Sequence, residues 1–272
     1  MVKVGFIKLG NIGMSLIVNL LLDERADRED IDVRVAGTGA KMGKPEAEDV
    51  LSFLKWEPDL LIVTSPNAAL PGPKIVREAF EGKPCIVISD GPAKKAVDEM
   101  KEKGFGYIIL PGDPMIGARR EFLDPTEMAL FNTDVLKVLS VSGAARLVQE
   151  EIDRVIGEIK AGGKVTLPQI IATAEVVTQR AQFSNPYARA KAIAAYSMAE
   201  KVAELDAKAC FAMKDPEAYT LMVAAAHEIM REAARLADEA RELEKAQDAV
   251  SRAPHGRSGE ILSKRGLMEP LK

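Results

Sequence analysis

The sequence is poor in the residues that usually advertise chemistry: two cysteines, two histidines and one tryptophan in 272 residues, with aromatics at 5%. Cys85 and Cys210 stand alone in apolar strand-like and helix-like stretches. They read as reduced, buried thiols of a cytoplasmic protein, and neither has a metal-ligand neighbour at a workable spacing. His227-Glu228 is followed by Arg231 where a zinc-protease helix needs a second histidine, so no metal site is expected. His255, set between Pro254 and Gly256, reads as a tail residue rather than a base. Ser65 has neither a G-x-S-x-G setting nor an assigned base, which leaves hydrolase chemistry unsupported. No apolar run approaches the roughly 18 residues of a membrane span, and the chain enters its first strand without a basic-plus-apolar leader. A net charge of −4 and a pI near 5.5 give no basic footprint for nucleic acid. Amides are scarce while charged residues reach 29%, a composition in the thermophile direction.

What is present is alternation. Over the first 110 or so residues, short Val- and Ile-rich runs at 3–7, 32–36, 59–64, 85–89 and 107–110 alternate with amphipathic stretches. Near-continuous apolar strands of this kind suit a parallel sheet covered on both faces. Pro45, Pro73 and Pro92 each sit where a first helical turn would begin. From about residue 124 the pattern turns helical. Asp124-Pro125 opens one helix, and Gly143 interrupts it or separates it from a second that reaches Lys160. A helix is expected over 168–182, then one from Asn185-Pro186 to Met213. Asp215-Pro216-Glu217 combines cap, first-turn proline and dipole-favoured acid, and opens a helix reaching about Ala249. A helix that long needs a partner for its apolar stripe, either in another subunit or in a monomeric bundle. The expected fold class is α/β, a Rossmann-like, doubly wound, mostly parallel sheet followed by a helical bundle region and a short C-terminal arm or hairpin. The expected division is 1–123 for the Rossmann-like domain, 124–250 for the helical region as substrate cleft wall and oligomer interface, and 251–272 for the arm.

The first strand runs into Lys8-Leu9-Gly10-Asn11-Ile12-Gly13. This is a dinucleotide fingerprint whose first glycine has been replaced by a cation. Gly10 and Gly13 remain available for close backbone approach and helix packing. After the second strand an NAD enzyme would place Asp or Glu, yet the sequence reads Gly37-Thr38-Gly39-Ala40-Lys41-Met42-Gly43. Lys41 keeps an NADP phosphate open as a less favoured alternative. On spacing alone, Lys8 is either a ligand cation or a solvent-facing residue of an ordinary α/β protein.

In a doubly wound sheet ligands bind at the carboxyl ends of strands. Thr64-Ser65-Pro66-Asn67, Ser89-Asp90-Gly91-Pro92 and residues 111–120 all follow strands there, together with residues 8–13. They offer hydroxyls, an amide, two carboxyls, cations and glycine-exposed amides, a set suited to a ligand with anionic arms and a heteroaromatic ring. The alternative is that such residues are simply turn formers, and Arg119-Arg120 a surface pair.

Residues 5–15, the run Leu22-Asp23-Glu24-Arg25-Ala26-Asp27-Arg28 and the loop Gly39-Ala40-Lys41-Met42-Gly43 closely resemble the coenzyme F420-dependent methylenetetrahydromethanopterin dehydrogenases of methanogenic and related archaea. Residues 111–120 and Pro125-Thr126-Glu127-Met128 are similar to that family as well. The resemblance covers essentially the whole chain. It implies an oxidoreductase of one-carbon metabolism and methanogenesis, transferring hydride reversibly from methylenetetrahydromethanopterin to coenzyme F420. It also implies a cytoplasmic homohexamer built as a trimer of dimers. It carries over no catalytic residues, so the site follows from the sheet topology. Lys8, Gly10, Asn11, Ile12, Gly13, Ser65, Pro66, Asn67 and Gly91 are expected on the coenzyme. Met115, Arg119, Arg120 and Glu127 are expected on the substrate, with Asp90 and Asp113 as electrostatic positioning groups. No metal, nucleic acid or membrane is expected. An NADP-dependent reductase of the hydroxyacid type and a non-enzymatic nucleotide-binding sensor stand as rival readings.

Overall fold

The computed structural model describes residues 1–272. Two compact units emerge: Met1–Leu110 with Val148–Ile171 and Ala253–Leu262, and Pro111–Leu147 with Ala172–Arg252 and Ser263–Lys272.

The first unit holds a six-stranded parallel sheet, β1 (Val2–Lys8), β2 (Ile31–Gly37), β3 (Leu60–Ser65), β4 (Cys85–Asp90), β5 (Gly106–Leu110) and β6 (Gln169–Ile171). Its spatial order is β2-β1-β3-β4-β5-β6. Every residue of β3, β4 and β5 is buried, as expected of strands with both faces covered. The crossovers are α1 (Gly13–Leu22), α2 (Lys44–Val50), α3 (Pro71–Glu78) and α4 (Val97–Glu102). Ile7, Val63, Val87 and Ile109 line one face of the sheet and meet Val76, Phe80, Met100 and Phe105.

Two expectations change here. Residues 168–182 do not form one helix: Gln169–Ile171 is a sixth strand, and only α7 (Ala174–Arg180) is helical. Pro168 accepts from Tyr107 N–H at 2.7 Å, and two β-branched isoleucines extend the sheet edge from there. The third helix also begins at Pro71 rather than Pro73, since Pro71 already supplies the preset first-turn φ.

The second unit is helical, with α5 (Pro125–Ser142), α8 (Pro186–Phe211) and α9 (Pro216–Ala246); α6 (Ala144–Ala161) begins in this unit and continues into the first. Each of α5, α8 and α9 opens with the same device. Asp124, Asn185 and Asp215 accept from backbone N–H groups of the first turn, at 2.7, 2.8 and 2.9 Å, and proline follows each. Side-chain capping of otherwise orphaned amides explains why these boundaries are sharp. Buried Ala188, Ala192, Ala195, Ala199, Ala226, Ala233, Ala234, Ala237 and Ala240 let α8 and α9 approach closely. Much of the apolar stripe of the long helix is therefore covered within the chain. Antiparallel bridges Arg252↔Lys264 and His255↔Ile261 give the tail its hairpin character.

Candidate active site

The strand order places the topological switch point beside β1. The chain steps from β1 to β2 on one side and then to β3 on the other, opening a crevice at the carboxyl ends of β1 and β3. The first and third strand loops meet there. Leu9 N–H donates to Thr64 O at 2.9 Å, and Thr38 N–H donates to Lys8 O at 3.0 Å. Gly10 has φ +75°, and a methyl group on it would lie 2.9 Å from Pro66 Cδ and 3.3 Å from Met42 Sδ. Only glycine satisfies both the left-handed backbone and this close approach. Lys8 and Asn11 are half-buried, while Gly10, Ile12 and Gly13 are buried.

Behind the β3 loop lies a buried polar lattice. Ser89 Oγ donates to Ser65 O at 2.6 Å and accepts from Ala68 N–H at 3.1 Å. Ser15 Oγ donates to Thr64 Oγ1 at 3.0 Å. Arg77, with no exposed surface, donates to Ala68 O at 2.6 Å and to both oxygens of Glu99 at 3.3 Å. A guanidinium with no access to water is held only by such charge-assisted bonds, so the loop carbonyl it grips is fixed. Asn67 Oδ1 accepts from Ala69 N–H at 3.0 Å, closing an Asx turn. Ser65 Oγ is buried and has no hydrogen-bond partner. On the next strand Asp90 caps the 3₁₀ turn Gly91–Ala96 by accepting from Gly91 N–H, and it is 1% exposed. The sheet edge thus gathers Lys8, Gly10, Asn11, Ile12, Gly13, Ser65, Pro66 and Asn67 at the switch point, with Asp90 and Gly91 at the end of β4.

The remaining expected residues belong to the helical unit. Asp113 is fully buried, Met115 half-buried and Arg120 exposed. Arg119 is committed locally. Its guanidinium donates to Ala209 O at 3.0 Å and Met213 O at 3.1 Å, and lies 4.0 Å from the centre of the Tyr219 ring. It therefore serves the carbonyl end of α8. Tyr219 in turn donates to Glu121 at 2.7 Å, a bond that holds the Glu121 carboxyl below its ordinary range. Glu127 accepts from His227 Nδ1 at 2.8 Å, with the ring set between Phe122 and Phe131. Burial pushes the His227 pKa down.

Sequence reasoning did not find Arg77 or Asp206, a fully buried acid on α8; it named Ser89 only as part of a strand-end loop and His227 only in setting aside a metal site. His255 differs from its expected role: it is 1% exposed, with Nδ1 on Glu24 and Nε2 2.9 Å from Asp153. Cys85 is buried as expected, while Cys210 is only half-buried.

The family model for methylene-5,6,7,8-tetrahydromethanopterin dehydrogenase matches residues 2–272. The F420-dependent methylenetetrahydromethanopterin dehydrogenase of Archaeoglobus fulgidus is 64% identical over 267 residues, 98% of each chain. The enzyme of the same name from Methanocaldococcus jannaschii is 55% identical over 272 residues, again 98% of each. A solved structure of F420-dependent methylene-tetrahydromethanopterin dehydrogenase, in complex with methylene-tetrahydromethanopterin and coenzyme F420, superposes with a TM-score of 0.96. It is 46% identical, and the match covers all of both chains. With a glycine-and-lysine switch point on a six-stranded parallel sheet and likeness along its whole length, the chain belongs to the methylenetetrahydromethanopterin dehydrogenase family.

Proposed function

We propose that this protein transfers hydride reversibly from methylenetetrahydromethanopterin to coenzyme F420, giving methenyltetrahydromethanopterin and reduced F420. It is an oxidoreductase of one-carbon metabolism that uses F420 as a dissociable cosubstrate. One observation carries this reading: the full-length likeness, at 46% identity and a TM-score of 0.96, to an enzyme whose solved form holds both ligands.

The residues at the switch point fit a deazaflavin with an anionic tail. Lys8 supplies a cation where a dinucleotide turn would need glycine, the Gly10 cradle admits close backbone approach, and Ser65 Oγ is a buried polar atom with no partner in the chain. When bound, the deazaflavin supplies a carbon hydride acceptor. The protein's own work is then orientation and electrostatics. Lys8 and the amides of residues 10–13 favour negative charge on the coenzyme side, with Ser65, Pro66, Asn67 and Gly91 completing its seat. Asp90 and Asp113 provide negative potential for the cation that forms on the pterin. Met115, Arg120 and Glu127 form the substrate side, with Arg120 exposed and Arg119 held instead on the terminal carbonyls of α8. In this reading residues 1–123 form the Rossmann-like domain, 124–250 the helical region that supplies a wall of the substrate cleft and the subunit contacts, and 251–272 an arm. A cytoplasmic, archaeal homohexamer, a trimer of dimers, belongs to the same reading.

The test is absorbance in the visible band of oxidised F420. Bleaching that requires methylenetetrahydromethanopterin is expected, with no matching reduction of NAD or NADP. Reduction of NADP without bleaching would overturn the assignment in favour of the hydroxyacid-type reductase.

A further inference from the structure

Asp206 lies in the C-terminal part of α8 with no exposed surface, and neither carboxyl oxygen has a hydrogen-bond partner. Orphaned buried acids are rare because desolvation is not repaid. The loop that covers this one is the run expected to meet the substrate. A methyl group on Gly117 would lie 2.6 Å from Asp206 Oδ1 and 2.7 Å from Val223 Cγ1. One on Gly112 would lie 2.5 Å from Cζ of buried Tyr196, whose hydroxyl donates to Ala172 O at 2.7 Å. Tyr196 and Asp206 occupy one buried face of α8 along with Ala199 and Ala209, roughly 15 Å apart at 1.5 Å per residue. The loop is thus laid along α8 and seated at two points, an aromatic ring and a carboxyl.

We propose that Asp206 is the positioning residue of the 111–120 loop, an acid that seats the Gly117 backbone while neutral and unseats it on ionising, so setting affinity for the pterin substrate. This rests on the assignment of Met115 and Arg120 to the substrate side. Burial raises the Asp206 pKa to about 8, opposed by the Gly117 backbone. The surrounding titratable groups are few. On α8 itself Cys210, one turn away, is pushed up by burial and then by Asp206. The loop contributes Arg119, which is engaged on Ala209 O and Met213 O. Facing it, α9 brings Val223, flanked by Tyr219 on Glu121 and His227 on Glu127. No counter-ion waits for an ionised Asp206 and the Gly117 backbone offsets its burial only in part, so the rest of the charge is relieved by admitting water and moving the loop.

The experiment compares the whole protein with Asp206→Asn, which keeps the shape of the neutral acid and cannot ionise. Two quantities are followed between about pH 5 and pH 9: KM for methylenetetrahydromethanopterin, and amide hydrogen exchange of residues 111–120 corrected for intrinsic rate. In the unmodified protein protection should fall by up to about tenfold per pH unit as the pH rises toward about 8 and level off above it, with KM rising over the same window. In Asp206→Asn both profiles should lose that step. Gly117→Ala, which intrudes on the same seat, should raise KM at every pH and gives an independent reading should the first variant fold poorly. Identical profiles with and without the carboxyl would overturn the proposal. A pH-dependent loss of protection confined to the unmodified protein, with a flat KM, would instead overturn the assignment of this loop to the substrate.

Discussion

Single residues divide by whether their role is local. The turn roles of Gly10 and Asn67 were legible in the sequence because turn chemistry is written into neighbouring positions. Arg77, Asp206 and His255 were not, because burial comes from partners far along the chain. His255 sits between Pro254 and Gly256 like any tail residue, yet it is held by Asp153 and Glu24, 102 and 231 positions away. Hydrogen bonding to Asp153, with further support from Glu24, raises its pKa above the ordinary 6.5, against the opposing effect of burial. A histidine whose folded pKa is raised contributes stability that is fully present below the unfolded value and lost as pH rises through the folded one. His255→Gln should therefore lower Tm most at acidic pH and flatten the decline above pH 6.5; parallel Tm–pH curves for the two proteins would contradict this. Lys8 makes a second prediction at this scale. A charge-assisted bond is worth about 1.5–3 kcal/mol, or roughly ten- to a hundredfold in Kd. Lys8→Gly should weaken F420 binding by that order in a fluorescence titration. An unchanged Kd would make Lys8 scaffold only.

At the scale of elements, the helix starts were the most readable features. Asp124, Asn185 and Asp215 each precede a proline, and all three accept first-turn N–H groups. The sixth strand was hidden, since three residues carry no periodicity and its pairing with β5 is a tertiary fact. The Arg119-Arg120 pair shows how an element decides between chemically equal neighbours. Arg119 spends its donors on the last carbonyls of α8 and its plane on Tyr219, whereas the Arg120 side chain is exposed. Arg120→Ala should raise KM for a substrate bearing an anionic tail more than it lowers kcat. Arg119→Ala should chiefly lower Tm, because it frays the α8 terminus and leaves Ala209 O and Met213 O without donors. Steady-state kinetics alongside thermal unfolding separates the two. Equal KM effects with no loss of Tm in Arg119→Ala would show that the guanidinium binds ligand instead.

At the scale of the whole molecule, strand alternation followed by helices sufficed to read the α/β class, and the glycine-lysine loop sufficed to read the switch point. Assembly is the property that single-chain physics argues least directly. The length of α9 suggested a partner, but α5, α8 and α9 already pack on one another within the chain. What calls for further cover is specific: Tyr187, Phe211 and Leu221 are 78%, 77% and 65% exposed on the two longest helices. Burying large apolar side chains of this kind contributes about 1.5–3 kcal/mol each, so leaving all three in water forgoes stabilisation that self-association can recover. Sedimentation at micromolar concentration should show a stable homo-oligomer. Replacing Phe211 and Leu221 together by glutamate should shift it to smaller species, with far-UV circular dichroism unchanged because both positions are already exposed. A protein that sediments as a monomer, or an oligomer indifferent to those two charges, would place subunit contacts elsewhere or remove them.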